Sequence, residues 1–343
     1  MSEADFALRL VAWQRQHGRH DLPWQRTRDP YRVWLSEVML QQTQVSTVRG
    51  YYARFLERFP TVNDLAAAPL DEVLALWAGL GYYSRARNLH ACAQAVSARG
   101  GFPCDARALA ELPGIGPSTA RAIAAFCFGE RLSIFDGNVQ RVLARLLAFD
   151  QDLSGARAVK VLWTRADALV PAQAEAMPAY TQGLMDLGAT VCTPRSPNCA
   201  ACPVQSLCAA HAQGRVGALP RKTKTLKRRQ RESWWLWLHR EADGALWLQQ
   251  RPARGIWAGL WTLPLFDDEA ALRAAAGAAA LEALPQIQHA LTHLDWLLHP
   301  RRAVWNRAAA PLPEGRWVQP ADWPAHGMPA PLQKLLGWVH AGP

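Results

Sequence analysis

The chain has 343 residues, about half of them hydrophobic and a fifth charged, which leaves room for two domains with separate cores. Its formal net charge of +10 indicates a polyanionic partner such as nucleic acid. No hydrophobic run approaches the about 20 residues of a membrane helix, and the N-terminus lacks the pattern of a secretion signal. These features exclude the membrane-spanning and secreted classes, so we expect a cytoplasmic protein. A monomer is a separate expectation, which these features do not establish.

Residues 1–213 are predicted to be helical. Asp29-Pro30 combines an N-cap aspartate with a first-turn proline and marks a helix start, and glycines and prolines separate the helices that follow. No part of this region alternates as a strand would. Further helices are expected near residues 61–78, 84–98, 105–111, 118–128, 137–147, 157–170 and 178–190.

The stretch GRVGALPRKTKTLKRRQRE begins a linker predicted over residues 214–232. It carries eight basic residues between Arg215 and Arg231 and no acidic residue before Glu232. This composition suits a solvated tether, and it equally suits a segment that lies along phosphates. Both interpretations stay open.

A smaller α/β domain is predicted over residues 233–343, where eleven of the sixteen tryptophans lie. SWWLWLHR and ALWLQQR have the composition of two strands, and a hairpin over 242–244 would join them. A helix is expected near 267–280, with further strands near 288–298 and 302–306.

Four cysteines in CTPRSPNCAACPVQSLC are separated by six, two and five residues. Disulfides are rare inside cells, so four thiols this close predict a metal site. Zinc and an iron–sulfur cluster both accept four thiolates, and the cysteine count alone does not decide between them. The candidate ligands are Cys192, Cys199, Cys202 and Cys208.

LPGIGPSTARAIAAF, residues 112–126, places Gly114 and Gly116 at a turn that opens a helix. Glycine allows a close approach, so backbone N–H groups at the helix start could face an anion. The pattern is typical of a helix-hairpin-helix, which grips DNA phosphate without reading bases. A plain connection between two helices is the alternative.

Two carboxylates stand out on either side of this hairpin. Glu37 lies in the hydrophobic run VWLSEVMLQQTQ, where apolar neighbours would raise its pKa and keep it protonated. Asp136 in IFDGNVQRVLARLL lies at a helix start, which favours the ionised form. An acid and an anion of this kind can cleave a glycosidic bond together. The ordinary alternatives are an exposed helix glutamate and a simple N-cap aspartate.

Seven stretches, in order over residues 8–208, resemble the MutY family of adenine DNA glycosylases, which act on adenine opposite 8-oxoguanine. The resemblance implies a six-helix barrel with a helical [4Fe–4S] domain. The implied partner is double-stranded DNA containing A:8-oxoguanine or A:G mispairs. The matching stretches are LPWQ, SEVMLQQTQV, WAGLGYYSRARNL, LPGIGPSTA, FDGNVQRVLAR, MDLGATVC and the cysteine loop.

The resemblance also implies roles for individual residues. Glu37 would protonate adenine at N7 and later assist the water, Asp136 would stabilise the oxocarbenium ion, and Asn138 would help to position this chemistry. Other residues would wedge into the duplex while a base is flipped out, or line the adenine pocket. The wedge residues are Gln41, Gln42 and Tyr82, and the pocket residues are Trp24 and Gln182.

The endonuclease III branch of the same superfamily is the enzymatic alternative, and it cuts the strand through a lysine Schiff base. That lysine falls where this chain has Ser118, and the first lysine here is Lys160. We therefore expect a monofunctional glycosylase that leaves an abasic site. Gln140 stands where relatives often have lysine, so trapped lysine adducts should be scarce. A non-catalytic iron–sulfur DNA-binding protein is the alternative from another class.

The last domain resembles the Nudix-type domain of the same family through RGIWAGLWTLP and HALTHLDW. The glutamate cluster R-E-x-x-E-E that holds the metal of a Nudix hydrolase is missing from the sequence, so nucleotide hydrolysis is not expected. The implied role is recognition of 8-oxoguanine by a loop usually written Phe-Ser-His. This chain has Leu291, Thr292 and His293 there, and a plain strand histidine is the alternative for His293.

Overall fold

The structure is a computed structural model that describes residues 3–224, 227–305 and 314–341. Helices fill the first part of the chain, and no strand occurs among described residues 3–224, so the predicted helical region is confirmed. The α-helices are α1 Glu3–His17, α2 Pro30–Leu40, α3 Val45–Arg58, α4 Val62–Ala67, α5 Leu70–Trp77, α6 Ser84–Arg99, α7 Ala106–Leu109, α8 Pro117–Phe128, α9 Gly137–Leu146, α10 Ala156–Ala168, α11 Met177–Asp186, α12 Ala209–Ala212, α13 Glu269–Ala276 and α14 Ala330–Ala341.

Local sequence explains several helix boundaries. Asp29 caps α2 by accepting a hydrogen bond from the Tyr31 N–H, and Pro30 occupies the first turn as predicted. The prediction of a single helix over 61–78 is wrong in one respect, because this segment forms two helices, α4 and α5. Pro69 stands at the N-cap of α5, and proline disfavours helix in the residue before it. After Asp186, α11 continues as a π-helical turn over Leu187–Val191.

The chain divides into two compact units. The first contains residues 1–56, 61–63 and 91–225, and the second contains 57–60, 64–90 and 226–343. In the first unit α1 packs closely on α11, since a Cβ on Gly183 would lie 3.1 Å from Cγ of Leu10. Phe6 and Tyr180 meet edge to face there, with ring centroids 6.2 Å apart.

Part of the predicted linker is held against the first unit. The Leu153 N–H donates to the carbonyl of Arg221 at 3.0 Å, and the Thr223 N–H donates to Oδ1 of Asp152 at 3.2 Å. Residues 225–226 of the predicted linker lie outside the described residues, and the first strand of the second unit begins at Arg229.

The second unit contains a mixed sheet, in agreement with the predicted α/β class. The strands are β1 Arg229–His239, β2 Leu246–Gln250, β3 Trp261–Thr262, β4 Leu265–Phe266, β5 Glu282–Ala283, β6 Ile287–Leu291, β7 Leu294–Val304 and β8 Arg316–Val318. The two long strands, β1 and β7, pair in parallel from Arg229 with Leu294 to His239 with Val304, and β2 and β4 pair antiparallel with β1.

Two predictions for this unit need correction. Strands expected near 288–298 and 302–306 are instead β6 and one unbroken β7, joined by a two-residue hairpin in which Leu291 pairs with Leu294. The helix expected near 267–280 is shorter, because Gly277 with φ +63° ends it. The predicted hairpin between β1 and β2 is confirmed by the pairing of His239 with Leu246.

Residues 64–90 are tied to the sheet region of the second unit by hydrogen bonds. Tyr83 Oη donates to the Met328 carbonyl at 3.0 Å, and Arg87 Nη1 donates to the Ala258 carbonyl at 2.6 Å. These bonds order the loop that follows α5. Across the described residues, every helix is too short or too polar to span a bilayer.

Candidate active site

A cavity of about 620 Å³ lies within the first unit. Both predicted carboxylates line it, together with Asn138 and the two predicted adenine-pocket residues, Trp24 and Gln182. The residues come from sequence positions as far apart as 24 and 182, so the fold gathers them. A volume of this size accommodates a single heterocyclic base with room to spare.

Glu37 lies on α2, and its partly exposed side chain lines this cavity. Burial raises its pKa from 4.5 to about 8, and the negative charge of Asp136 adds to the rise. No described residue hydrogen-bonds to its carboxyl group. The predicted upward direction of the pKa is therefore found, and the carboxyl group of Glu37 keeps its proton near neutral pH.

Asp136 caps α9, as predicted. Its Oδ1 accepts hydrogen bonds from the N–H groups of Asn138 and Val139, both at 2.8 Å. Both donors belong to the first turn of α9, as is usual for an N-cap aspartate. The carboxylate is thus fixed in direction while it faces the cavity.

The other three predicted cavity residues are also held in place. Trp24 is buried on the 3₁₀ turn Pro23–Arg26 and meets Tyr52 edge to face at 5.4 Å. Asn138 Oδ1 accepts from Arg141 Nη2 at 2.9 Å. Gln182 is buried on α11.

The predicted helix-hairpin-helix is formed by α7 and α8. Gly114 has φ +73°, a conformation that favours glycine, and Gly116 caps α8 ahead of Pro117. Both glycines are exposed, as a phosphate contact requires. Ser118 does not line the cavity. Its Oγ accepts from the Phe135 N–H at 3.0 Å, which ties the hairpin to the segment that carries Asp136.

The predicted wedge residues fall in different units. Gln41 and Gln42 follow α2 in the first unit, where Gln41 Nε2 donates to Thr119 Oγ1 at 3.2 Å and Gln42 has φ +57°. Tyr82, in the second unit, has φ +49° and is 46% exposed. Positive φ is uncommon outside glycine and is often found at functional sites.

Within the second unit, Tyr82 meets the predicted 8-oxoguanine loop directly. Its Oη lies 2.6 Å from Oγ1 of Thr292, although the two residues are 210 positions apart. Thr292 and His293 form the exposed turn between β6 and β7. The structure therefore brings together one predicted wedge residue and one residue of the predicted recognition loop.

Two features of the cavity were missed by sequence reasoning. Gln25 lines it, and both polar atoms of its amide are buried without a hydrogen-bond partner among the described residues. Asp186, buried behind Gln182, accepts hydrogen bonds from Gln182 and Arg19. The motifs LPWQ and MDLGATVC contain both residues, but only their surroundings in three dimensions single them out.

The four cysteines of the predicted metal loop line one small cavity together with Arg145. Arg145 is 2% exposed. Its Nη1 lies 3.3 Å from Cys192 Sγ, and its other hydrogen bonds go to carbonyl groups. Arg145 has no carboxylate partner among the described residues, so its buried charge suits an anionic thiolate-bound group.

The residues around this cavity can be compared with what an iron–sulfur cluster needs. Four cysteine thiols and the buried Arg145 line it. A cluster of iron and sulfide places its thiolates around a larger inorganic core. The residues present therefore fit an iron–sulfur cluster.

Models of known families match three segments of the chain. Residues 35–164 match the model of the HhH-GPD superfamily base excision DNA repair protein. Residues 192–208 match the iron–sulfur binding domain of endonuclease III, which supports a [4Fe–4S] cofactor, and residues 235–338 match the NUDIX domain. The class is a helix-hairpin-helix base-excision protein with an iron–sulfur loop and a C-terminal NUDIX domain.

Comparison with individual relatives identifies the family within this class. The chain is 32% identical to an adenine DNA glycosylase of Buchnera aphidicola subsp. Baizongia pistaciae, over 98% of this chain and 97% of that protein. It is 48% identical to the human adenine DNA glycosylase over 59% of this chain, and the match spans 38% of the human protein. The chain belongs to the adenine DNA glycosylase family.

Solved structures share the helical fold. A thermostable thymine-DNA glycosylase is 28% identical, with a TM-score of 0.54, over 62% of this chain and 97% of that one. A trapped endonuclease III–DNA covalent intermediate is 23% identical, with a TM-score of 0.50, over 62% of this chain and 99% of that one. The second likeness shows the fold alone.

Proposed function

We propose that the chain is a monofunctional adenine DNA glycosylase of base excision repair. It flips adenine out of an A:8-oxoguanine or A:G mispair in duplex DNA, hydrolyses the N-glycosidic bond and leaves an abasic site. The observation that supports this most is the pairing of Glu37 and Asp136 in one base-sized cavity. The cytoplasmic, nucleoid-associated location remains a prediction.

Glu37 is the proposed general acid. With a pKa of about 8, most Glu37 carboxyl groups carry a proton at neutral pH. Transfer of that proton to N7 makes the departing adenine neutral, because the electrons of the glycosidic bond move onto the base. The resulting carboxylate can then accept a proton from the attacking water.

Asp136 is the proposed anion beside the sugar. Loss of the base leaves positive charge on the sugar ring, and a carboxylate already oriented by two backbone N–H groups stabilises that charge without reorganising. Asn138 and Trp24 would position the base. Gly114 and Gly116 would grip phosphate, and Gln41, Gln42 and Tyr82 would fill the space that the flipped base leaves.

Recognition of 8-oxoguanine is assigned to the second unit. Thr292 and His293 present a hydroxyl and an imidazole on an exposed turn, and Tyr82 holds the turn through its hydrogen bond to Thr292. α13 supplies one carboxylate, Glu269, which is paired with Arg273 and Arg301. That pairing supports recognition without nucleotide hydrolysis.

Cys192, Cys199, Cys202 and Cys208 are the proposed ligands of the [4Fe–4S] cluster. Hydrolysis needs no redox step, so the cluster would order the loop and give Arg145 an anionic neighbour. Binding a metal group closes a short loop that has little core of its own.

One assay tests the function and separates its alternatives. The protein is incubated with duplexes that contain A opposite 8-oxoguanine, A opposite G or A opposite T, and strands are analysed before and after alkali. We expect strand breaks only after alkali, mostly in the first duplex. Breaks without alkali would indicate an endonuclease III-like lyase, and binding with no break would indicate a non-catalytic DNA-binding protein.

A further inference from the structure

A buried network lies directly behind the cavity. Asp186, the last residue of α11, is 1% exposed. Its Oδ1 accepts from Nε of Arg19 at 2.7 Å and from Nε2 of Gln182 at 2.8 Å, and its Oδ2 accepts from the backbone N–H of Arg19 at 3.0 Å. One carboxylate therefore joins a cavity residue to a separate segment of the chain.

The surrounding backbone is shaped to allow this contact. Gln182 and Asp186 are four residues apart and share one face of α11. A Cβ on Gly18 would lie 3.0 Å from Oδ2 of Asp186 and 2.5 Å from the carbonyl of Gln14. Only glycine lets this segment approach so closely that the Arg19 N–H reaches Asp186.

The network fixes which way the Gln182 amide faces. The oxygen and nitrogen of a glutamine amide are assigned from their hydrogen bonds. A carboxylate paired with arginine can only accept, so the NH₂ of Gln182 must point to Asp186. This leaves Oε1 for the cavity that Gln182 lines, and Oε1 accepts no hydrogen bond from the described residues.

We propose that Asp186 is a positioning residue for base selection, which rests on the proposed function. It holds Gln182 so that Oε1 accepts a hydrogen bond from an exocyclic amino group at C6 of the purine. A 6-keto purine would place its own oxygen against Oε1 and leave two buried acceptors unpaired. A site built to pair with one polar group rejects the analogue that lacks it.

The test compares three bases opposite 8-oxoguanine: adenine, purine without the amino group, and hypoxanthine with a 6-keto group. Single-turnover excision is measured for the unmodified protein and for Asp186→Asn. Asparagine can donate to Oε1, so the Gln182 amide can invert. We expect the adenine-to-purine rate ratio to fall about tenfold, the size of one hydrogen bond in an enclosed site, and hypoxanthine excision to rise relative to adenine.

Two control comparisons test whether the change in the rate ratio depends on Asp186 acting through Gln182. Asp167→Asn removes a carboxylate that pairs with Arg121 at 2.7 Å in the same unit, and it should leave the ratio unchanged. In a Gln182→Leu background, Asp186→Asn should cause no further change in the ratio. The rate constant is measured with enzyme in saturating excess over the duplex, so a fraction of unfolded molecules does not change it.

The possible outcomes separate the two proposals. Equal slowing on adenine and purine, or a lower ratio that persists in the Gln182→Leu background, would overturn the role of Asp186. Absence of adenine excision by the unmodified protein would instead refute the proposed function. A selective loss on adenine that disappears in the Gln182→Leu background supports the positioning role.

Discussion

Replacement of Glu37 by glutamine should change how stability depends on pH. Burial and the charge of Asp136 raise the pKa of Glu37 from 4.5 to about 8, so the folded protein prefers the protonated carboxyl group. Its contribution to stability is complete below pH about 4.5 and is lost as the pH rises through about 8. At 1.36 kcal/mol per unit, the wild-type protein should lose about 3 kcal/mol between pH 5.5 and 9 relative to Glu37→Gln, which cannot ionise.

Urea denaturation followed by far-UV circular dichroism measures this difference, because helices dominate the unit that contains Glu37. Glu57→Gln is the matched control, since Glu57 is an exposed glutamate on α3, and it should follow the wild-type protein at both pH values. If Glu37→Gln and the wild-type protein lose stability in parallel, the raised pKa is refuted.

The same ionisation should control excision. The single-turnover rate on A:8-oxoguanine should be level below pH about 8 and fall about tenfold per unit above it, because the acid has lost its proton. Glu37→Gln should bind the duplex yet excise adenine about 10²–10⁴-fold more slowly. A wild-type rate that climbs through pH 8, or near-normal excision by the variant, would rule out the acid role.

Three further predictions concern other parts of the molecule. Gln25→Leu removes an unpartnered buried amide, so the free energy of unfolding should rise by about 1 kcal/mol. Excision should slow, because Gln25 lines the cavity that would hold the base. Unchanged excision would show that the amide does not contact the base. Cys199→Ser should abolish the brown iron–sulfur absorbance band and weaken duplex binding in fluorescence anisotropy, and a retained band would exclude this ligand. Duplex affinity should fall by about 10³-fold between 50 and 200 mM salt if about six phosphates are contacted, and a flat response would contradict the basic-surface interpretation.

The sequence was enough to select the two carboxylates of the cavity, but it was not enough to select every residue that lines or supports the cavity. Glu37 and Asp136 could be chosen because each has an unusual local context, a hydrophobic helix in one case and a helix start in the other. Gln25 and Asp186 have no such context. Their importance comes from an unpaired amide and from hydrogen bonds to Arg19 and Gln182, which depend on contacts between distant segments.

A similar limit applies to the second unit. The composition of residues 233–343 is enough to predict strands, but the strand predicted near 288–298 runs through Thr292 and His293, which form a turn. Neither residue is a strong turn former, and the hairpin is set by pairing of β6 with β7. The hydrogen bond between Tyr82 and Thr292 joins segments that no local pattern relates.

The different roles proposed for Glu37 and Asp136 follow from backbone geometry more than from residue type. Oδ1 of Asp136 accepts hydrogen bonds from two N–H groups in the first turn of α9. Glu37 lies within α2, where the backbone N–H groups are already used, and no described residue donates to it. The charge of Asp136 then makes ionisation of Glu37 harder still. The start of α9 beside the cavity therefore orients one carboxylate, and the charge of that carboxylate helps to keep the proton on the other.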